Sequence, residues 1–430
     1  MKRALVFSGG GSRGAYEIGA WKALDEMGIR FQSVYGASIG AINAALVAQG
    51  DVDVAVRLWD NITLSQVVAT ENAENFSIGS MISSKRDILP FLLENARNLR
   101  VDVRPLESMI QESILEGRVR ASGLDLNVTT VRVPSMTPVQ ISIGDMRPGS
   151  LTDWLMASSA CFPVFPLRTI DGMRYMDGGF YDNLPVDKAI QDGAEEIVCV
   201  DIHPDFTHPE LERMPSLTVI KPLHALCGFL DFDPKLLRRS RLMGYFDTMK
   251  RYGRMDGVRY TFFPASSLRV ALPARRYLER IARFDTAAIS RMGFLKGQQS
   301  VVAPLLSAIE EELPAGRYDE KTALLRGLEL AARIWGFRED ALYQPGELTR
   351  QIAAMAERDG AFDVSLSERA INEIASKGAP ALAGYVYRQF LREGDVPEHA
   401  VKALAEHPAE TAAALYLLCA KNDIWESIAG

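Results

Sequence analysis

SVYGASIGAINAALVAQG, Ser33 to Gly50, changes character at its sixth residue. Ser33–Ala37 reads as a short strand. Ser38 to Gln49 is apolar over a length better suited to a buried helix. The junction, Gly36-Ala37-Ser38-Ile39-Gly40, has the form G-x-S-x-G. A strand that turns sharply into a helix at such a sequence swings the serine hydroxyl clear of the backbone. Strand and helix nearly touch there, so Gly36 and Gly40 leave the space that side chains would fill. The serine also stands at a helix N-terminus, where unpaired N–H groups and the helix dipole favour nearby negative charge.

Working outward, LVFSGGGSRG, Leu5 to Gly14, repeats the strand–turn–helix plan. RALVFS is apolar and strand-like. Beyond the loop, Ala15, Ile18, Gly19, Trp21, Ala23 and Leu24 recur at helical spacing between Gly14 and Met27. GGGSRG fits the loose G-x-G-x-x-G pattern of dinucleotide-binding loops. That reading needs an acidic residue at the end of the second strand to hold a ribose, and YGASIG offers none. The same loop suits an oxyanion. In a doubly wound sheet, loops at the carboxyl ends of adjacent strands share one crevice. Gly9, Gly10 and Gly11 let the backbone approach closely and turn its amides inward. The expected donors are the amides of Gly10, Gly11 and Ser12. Arg13 is expected to order the loop through hydrogen bonds or to add positive potential.

The alternation continues through the first half. LDLNVTTVRV and PVQISIG read as neighbouring strands joined around Pro134–Pro138. RTIDGMRYMDGG reads as a hairpin turning at Asp171-Gly172. EEIVCVDIHP and SLTVIKPL are further strands. The expected fold is α/β, a mainly parallel sheet with helices on both faces in three layers. Residues 61–100 are harder to read: polar loops at Glu71–Asn75 and Ser83–Asp87, and a helix at Ile88–Asn98. Surface helices are the expectation there, a lid or substrate-binding insertion the alternative. After Arg259 strand patterns cease. Amphipathic helices are expected at Lys321–Trp335, Glu347–Arg358, Ser367–Ser376, Ala379–Arg392 and Glu398–Ala405. Ser365 with Glu368 fits a capping box, and Pro408 the first turn of the last helix. The division expected is a catalytic domain, 1–259, and a smaller all-helical domain, 260–430, without a repeat period.

The 430 residues are 47% hydrophobic and 24% charged, with a formal net charge of −7. That balance argues against a nucleic-acid partner. The apolar stretch in MKRALVF is too short for a secretory signal. The longest apolar run found, AAALYLLCA at Ala412–Ala420, falls short of the ~18 residues that span a bilayer and suits a buried helix. Cys161, Cys199, Cys227 and Cys419 form no C-x-x-C pair. They read as reduced core residues of a cytoplasmic protein. No calcium loop or zinc pattern is visible, so neither metal nor cofactor is expected.

A nucleophilic Ser38 requires a proton acceptor. Among the five histidines, His203 follows a strand and would complete a Ser–Asp–His set. His208 and His224 belong to the same half, and His399 and His407 to the helical region. The competing base is Asp177, in YMDGGFYDNLP, where Gly178 and Gly179 free the backbone to bend toward the crevice. An ordinary Asx turn would also explain that aspartate.

Four stretches in order, SGGGSRGAYEIGAWKAL, GASIG, ASSACFPVFPL and MDGGFYDNLPV, resemble the patatin-like phospholipases. DFDPKLLRRSRLMGYFDTMKRYG is similar to the end of the catalytic domain in bacterial members. The resemblance covers about Met1 to Tyr252 and leaves the helical C-terminus uncovered. It implies a Ser–Asp dyad of Ser38 and Asp177, an oxyanion hole at Gly10, Gly11 and Ser12, and motif support from Gly9, Arg13, Gly14, Gly36, Gly40, Gly178 and Gly179. Asn183 and Pro185 match the segment that follows the family's aspartate. The expected activity is hydrolysis of fatty-acyl esters of phospholipids or related lipids through an acyl-enzyme, without metal and with peripheral membrane contact. The rivals are a carboxylesterase or thioesterase for soluble acyl compounds, and a scaffold whose helical region binds an unidentified protein partner. An apolar rim for membrane contact would fall near LCGFLDF, Leu226–Phe232. A buried helix is the plainer reading of that stretch.

Overall fold

In a computed structural model, the structure describes residues 2–69, 101–162, 164–203, 211, 213–296, 303–313, 319–393, 398–420 and 425. The loops and helix expected within 70–100, and His208, lie outside these. The chain divides into two compact units, Met1–Arg251 and Tyr252–Gly430.

The first unit is built on one sheet in the order β5-β6-β3-β2-β1-β7-β8, with β4 paired to β3. Its strands are β1 (Arg3–Phe7), β2 (Ser33–Ala37), β3 (Asp125–Val133), β4 (Thr137–Ser142), β5 (Arg168–Ile170), β6 (Met173–Asp177), β7 (Glu196–Val200) and β8 (Leu217–Ile220). β3, β2, β1, β7 and β8 run parallel. β4, β5 and β6 join through antiparallel pairs. The expected hairpin is present, with Asp171 and Gly172 both at positive φ, as its two-residue turn demands.

The helices of this unit are α1 (Ala15–Glu26), α2 (Ile39–Gln49), α3 (Val52–Asn61), α4 (Arg104–Ser113), α5 (Glu116–Ala121), α6 (Leu151–Ser158), α7 (Val186–Gln191) and α8 (Pro234–Arg251). β1 and β2 are buried almost throughout, the mark of parallel strands covered on both faces. On one face Ala4, Val6, Tyr35, Ile197 and Cys199 pack with Val186 and Ala189 of α7.

β3 controls what meets at the crevice. One edge pairs with β4 over residues 127–132. The other edge is shared: Ser33–Ala37 of β2 occupies Asp125–Thr129, and Arg174–Asp177 of β6 occupies Thr130–Val133. β2 runs parallel to β3 and β6 against it, so their carboxyl ends converge.

Two expectations for this unit are corrected. Leu226–Phe232 is not helical. It is a loop whose carbonyls bond to the glycine loop, with Cys227 and Phe232 buried. Its glycine and its backbone-to-side-chain bonds favour this irregular path over a helix. None of the four cysteines is in a disulfide; Cys199 and Cys227 are buried, but Cys161 is partly exposed, as is Cys419 of the second unit.

The second unit contains α9 (Ser267–Lys296), α10 (Pro304–Glu310), α11 (Glu320–Ile334), α12 (Pro345–Asp359), α13 (Glu368–Ala375), α14 (Ala379–Glu393), α15 (Val401–Leu404) and α16 (Pro408–Ala420). They enclose a core that includes Tyr277, Leu324, Leu328, Phe390 and Tyr416. Strands do not vanish altogether: β9 (Thr261–Phe262) and β10 (Leu342–Tyr343) form a short parallel pair. Two residues each are too few to show a period. The cap of α13 is Ser367, which accepts from the Ala370 amide at 3.2 Å, rather than Ser365. Inside this unit Arg326 and Glu329 form a fully buried ion pair. Glu329 also accepts from the Val258 and Tyr260 amides, and Arg326 donates to the Ile309 and Glu311 carbonyls. Such pairing offsets the desolvation cost of the two charges.

Candidate active site

Ser38 joins β2 to α2 with φ 54° and ψ −128°. For a residue with a Cβ this is a strained, sparsely populated conformation, of the kind found at functional sites. Packing enforces it. A Cβ on Gly40 would lie 2.6 Å from the Ser8 carbonyl oxygen, and one on Gly36 would strike the Gly40 backbone. The sharp turn therefore depends on both glycines, as the pentapeptide suggested.

The Ser38 hydroxyl donates to Asp177 Oδ2 at 2.7 Å. Asp177 ends β6, and its amide donates to the Ala160 carbonyl at 2.9 Å. Its other oxygen, Oδ1, accepts from the Gly179 amide at 2.7 Å. Both residues are buried, at 8% and 5% exposure. Burial pushes the Asp177 carboxyl up from 3.8 to about 6, against the lowering effect of the Ser38 and Gly179 hydrogen bonds. A carboxylate with a raised pKa is a better base, yet it stays ionised above neutrality.

Ser158, in the ASSACFPVFPL stretch, holds the elbow from behind. Its hydroxyl accepts from the Ser38 amide at 2.9 Å and donates to the Thr129 carbonyl at 2.7 Å. The sequence alone did not single out this residue. The signal was present only as one of two adjacent serines, Ser158 and Ser159, and pairing with β3 distinguishes them.

The glycine loop lies beside the elbow: a Cβ on Gly9 would fall 3.0 Å from Ser38 Cβ. Asn183 ties this loop to the Asp177 loop twice. Its carbonyl accepts from the Gly9 amide at 3.1 Å, and its side-chain amide donates to the Gly9 carbonyl at 3.1 Å. The far side of the loop is held by Cys227–Phe229. Arg13 Nε donates to the Cys227 carbonyl at 3.0 Å, so Arg13 orders the loop. The Ser12 hydroxyl donates to the Gly228 carbonyl.

One expected donor is displaced. The Ser12 amide donates to the Phe229 carbonyl at 2.9 Å. It is occupied by protein, because the loop needs an anchor where it enters its short helix, Gly11–Gly14. The Gly10 and Gly11 amides are not taken by these contacts. Gly11 has φ 61°, a conformation that favours glycine.

Beneath the loop lies a buried network that sequence reading missed. Asn43 donates to the Gly14 carbonyl at 3.0 Å and to Glu17 Oε2 at 2.8 Å, and accepts from Trp59 Nε1 at 2.9 Å. It joins α1, α2 and α3 directly behind the loop. Burial holds the Glu17 carboxyl well above the usual range.

His203 does not reach Ser38's proton in this arrangement, which goes to Asp177. Its Nδ1 lies 3.1 Å from Asp201 Oδ1, and its Nε2 would be 3.6 Å from a Cβ on Gly10. His399 and His407 belong to the second unit. Among the described residues no group of three His, Cys, Asp or Glu is arranged to hold a metal ion. No helix there is long and apolar enough to cross a membrane.

Part of the chain is similar in sequence to known proteins. Patatin-like phospholipase domain-containing protein 7 of Rattus norvegicus is 28% identical over 205 residues, 46% of this chain and 13% of that protein. Lysophospholipase nte1 of Aspergillus terreus is 28% identical over 200 residues, 46% of this chain and 12% of that protein. The chain thus spans only a small part of these relatives' length. The crystal structure of VipD from Legionella pneumophila aligns with 100% of the chain and 92% of its own at 15% identity, with a TM-score of 0.40. The family profile described as patatin-like phospholipase matches residues 5–190, which hold the glycine loop, the elbow and the aspartate loop. Over residues 5–190 the chain is thus similar to the patatin-like phospholipases.

Proposed function

We propose that the chain is a serine lipid acyl hydrolase that cleaves fatty-acyl esters of phospholipids or related lipids through Ser38 and Asp177. The observation that carries this reading is the 2.7 Å hydrogen bond from the Ser38 hydroxyl to a buried carboxylate, at a strained strand-to-helix turn. The similarity of residues 5–190 to the patatin-like phospholipases supports the lipid substrate class.

In the first step the Ser38 oxygen attacks the acyl carbonyl carbon and its proton passes to Asp177 Oδ2. The carbonyl oxygen becomes an oxyanion that accepts from the Gly10 and Gly11 amides. Aimed donors of this kind lower a barrier by roughly 3 kcal/mol each. Collapse breaks the ester C–O bond. The leaving alkoxide takes the proton from Asp177, and the acyl group remains on Ser38. Water then gives a proton to Asp177 as it attacks the acyl-enzyme. The second collapse releases the fatty acid, and the proton returns to Ser38. One carboxylate therefore serves as base and acid in turn, which its raised pKa favours.

The test is mass spectrometry of products from a mixed lipid extract incubated with the full chain. Free fatty acids and deacylated lipids are expected, and none above background with Ser38→Ala. Lipids left intact while short-chain soluble esters are cleaved would replace this reading by the carboxylesterase one.

A further inference from the structure

We infer that Asn43 is a positioning residue for acyl transfer: it fastens the helix that begins at Ser38 to the end of the glycine loop, and so sets the distance between the attacking oxygen and the amides that face it. The inference rests on the acyl-hydrolase reading of the dyad and the glycine loop. It adds a residue that this reaction needs without touching the substrate.

That reaction requires two parts to be held in register. Ser38 stands at the N-terminus of α2. Gly10 caps, and Gly11 opens, the short helix that ends at Gly14. Asn43 lies on α2, one and a half turns beyond Ser38, and is fully buried. Its side-chain amide donates to the Gly14 carbonyl at 3.0 Å, which joins the two helices directly. The approach is close because Gly14 has no side chain. A Cβ there would lie 2.9 Å from Asn43 Nδ2 and 2.8 Å from Ile39 Cγ1. The residue after the nucleophile thus packs on the same glycine.

The orientation of the Asn43 amide is decided by its partners. An indole N–H can only donate and a backbone carbonyl can only accept. Trp59 Nε1 lies 2.9 Å from Oδ1, and the Gly14 carbonyl accepts from Nδ2, so one orientation satisfies both. The second amide hydrogen goes to Glu17 Oε2 at 2.8 Å. A buried polar side chain with its groups paired in this way is stiff.

The anchors are themselves held. Next to Trp59, Asp60 accepts from Arg241 of α8 through both carboxylate oxygens, at 2.8 and 2.9 Å. Glu17 is fully buried on α1, and its Oε1 has no hydrogen-bond partner among the described residues. Burial holds its carboxyl well above the usual range, so it serves Asn43 as an uncharged acceptor. Asn183 ties the glycine loop to the Asp177 side of the crevice through Gly9. Asn43 ties it to the Ser38 side through Gly14, so neither tie replaces the other.

The experiment is steady-state hydrolysis of a water-soluble short-chain ester by the full chain, with inhibition by a trifluoromethyl ketone. The Ser38 oxygen adds to the ketone's carbonyl carbon, its proton passes to Asp177, and the new oxyanion stands where that of the reaction would. Asn43→Leu is close in size and removes all three hydrogen bonds. It should lower kcat about tenfold to a hundredfold with KM within about twofold. The ketone's Ki should rise by the factor by which kcat/KM falls. Glu17→Leu should lower kcat in the same sense, and Glu17→Gln, which keeps an oxygen acceptor, should recover most of that loss. Trp59→Phe keeps an aromatic ring without the N–H and should lower kcat less than Asn43→Leu. It carries the test if thermal melting shows that Asn43→Leu does not fold. Parental kcat and Ki in the folded variant, or a change confined to KM, would overturn the positioning role. A parent protein that turns over neither the ester nor a phospholipid would instead overturn the hydrolase reading, and this inference with it.

Discussion

Ala37 and Asp177 end two strands that approach each other along one edge of β3, opposite the consecutive residues Thr129 and Thr130. The residue after Ala37 is Ser38. The hydroxyl and the carboxylate, 139 positions apart in sequence, therefore meet at 2.7 Å through backbone pairing. A hydrogen-bonded pair placed by a sheet is held rigidly, which favours a preorganised site over one assembled by loops.

Removing either member should be severe. Ser38→Ala should leave no acyl-enzyme and lower kcat on a soluble ester to background. Asp177→Asn keeps the shape but cannot accept the proton. Its kcat should fall by about 10²–10⁴, the range attributed to a general base. Steady-state kinetics with trapping of the acyl-enzyme checks both. An Asp177→Asn protein with near-parental kcat would remove the carboxylate from the mechanism.

The pH profile follows from the Asp177 pKa of about 6, raised by burial. The base must be ionised, so kcat/KM should rise with pH through about 6 and level off above it. Activity should be lost as pH falls through that value. A limb of this kind in the parent protein, absent from the residual activity of Asp177→Asn, assigns it. A limb near the free-carboxylate value of 3.8 would mean that burial does not tune this group.

The same burial carries a stability cost. The folded pKa lies above the free value, so the stabilising contribution is full below 3.8 and is lost as pH rises through about 6. A shift of about two units corresponds to about 3 kcal/mol at most. Asp177→Asn should therefore melt at a higher temperature than the parent at pH 8, and this gain should vanish near pH 4. Thermal denaturation at the two pH values measures it. Equal gains at both, or a loss at pH 8, would show that the aspartate's hydrogen bonds outweigh its desolvation.

Asn183 should act through the glycine loop. Its two hydrogen bonds to Gly9 hold that loop against the aspartate loop. Asn183→Ala removes the side-chain one and frees the segment. Misplaced donors cost transition-state binding more than substrate binding. A fall in kcat of about tenfold to a hundredfold with little change in KM is expected. A change confined to KM would make Asn183 a substrate contact instead.

Much of the first unit was legible because its signals are local. The Ser33–Gly50 stretch contains both the change of period and the two glycines that its turn requires. Asp171-Gly172 names its hairpin. The fate of the Ser12 amide was not legible, because its acceptor, Phe229, lies far along the chain in a loop without periodicity. Leu226–Phe232 looked like a buried helix for the same reason: apolar content does not reveal backbone bonds to a distant loop. In the second unit, α9 passes through Pro273, a residue that normally reads as an interruption. Ser367 caps α13, whereas the capping-box spacing pointed to Ser365. A cap depends on which residue leaves the helix, and composition does not decide that.

His203 is the remaining rival, and one variant separates the dyad from a triad. Asp201 orients its ring, and Nε2 stands near Gly10, while Asp177 takes the Ser38 hydroxyl hydrogen bond. A residue placed there can pack against the glycine loop without moving a proton. His203→Ala should lower kcat by well under the ~10²-fold minimum ascribed to a lost base, with the acid limb still near 6. A larger loss, with the limb displaced, would assign the proton to the imidazole and leave Asp177 to orient Ser38. The kinetic comparison of His203→Ala with Asp177→Asn over the same pH range therefore decides which group is the base.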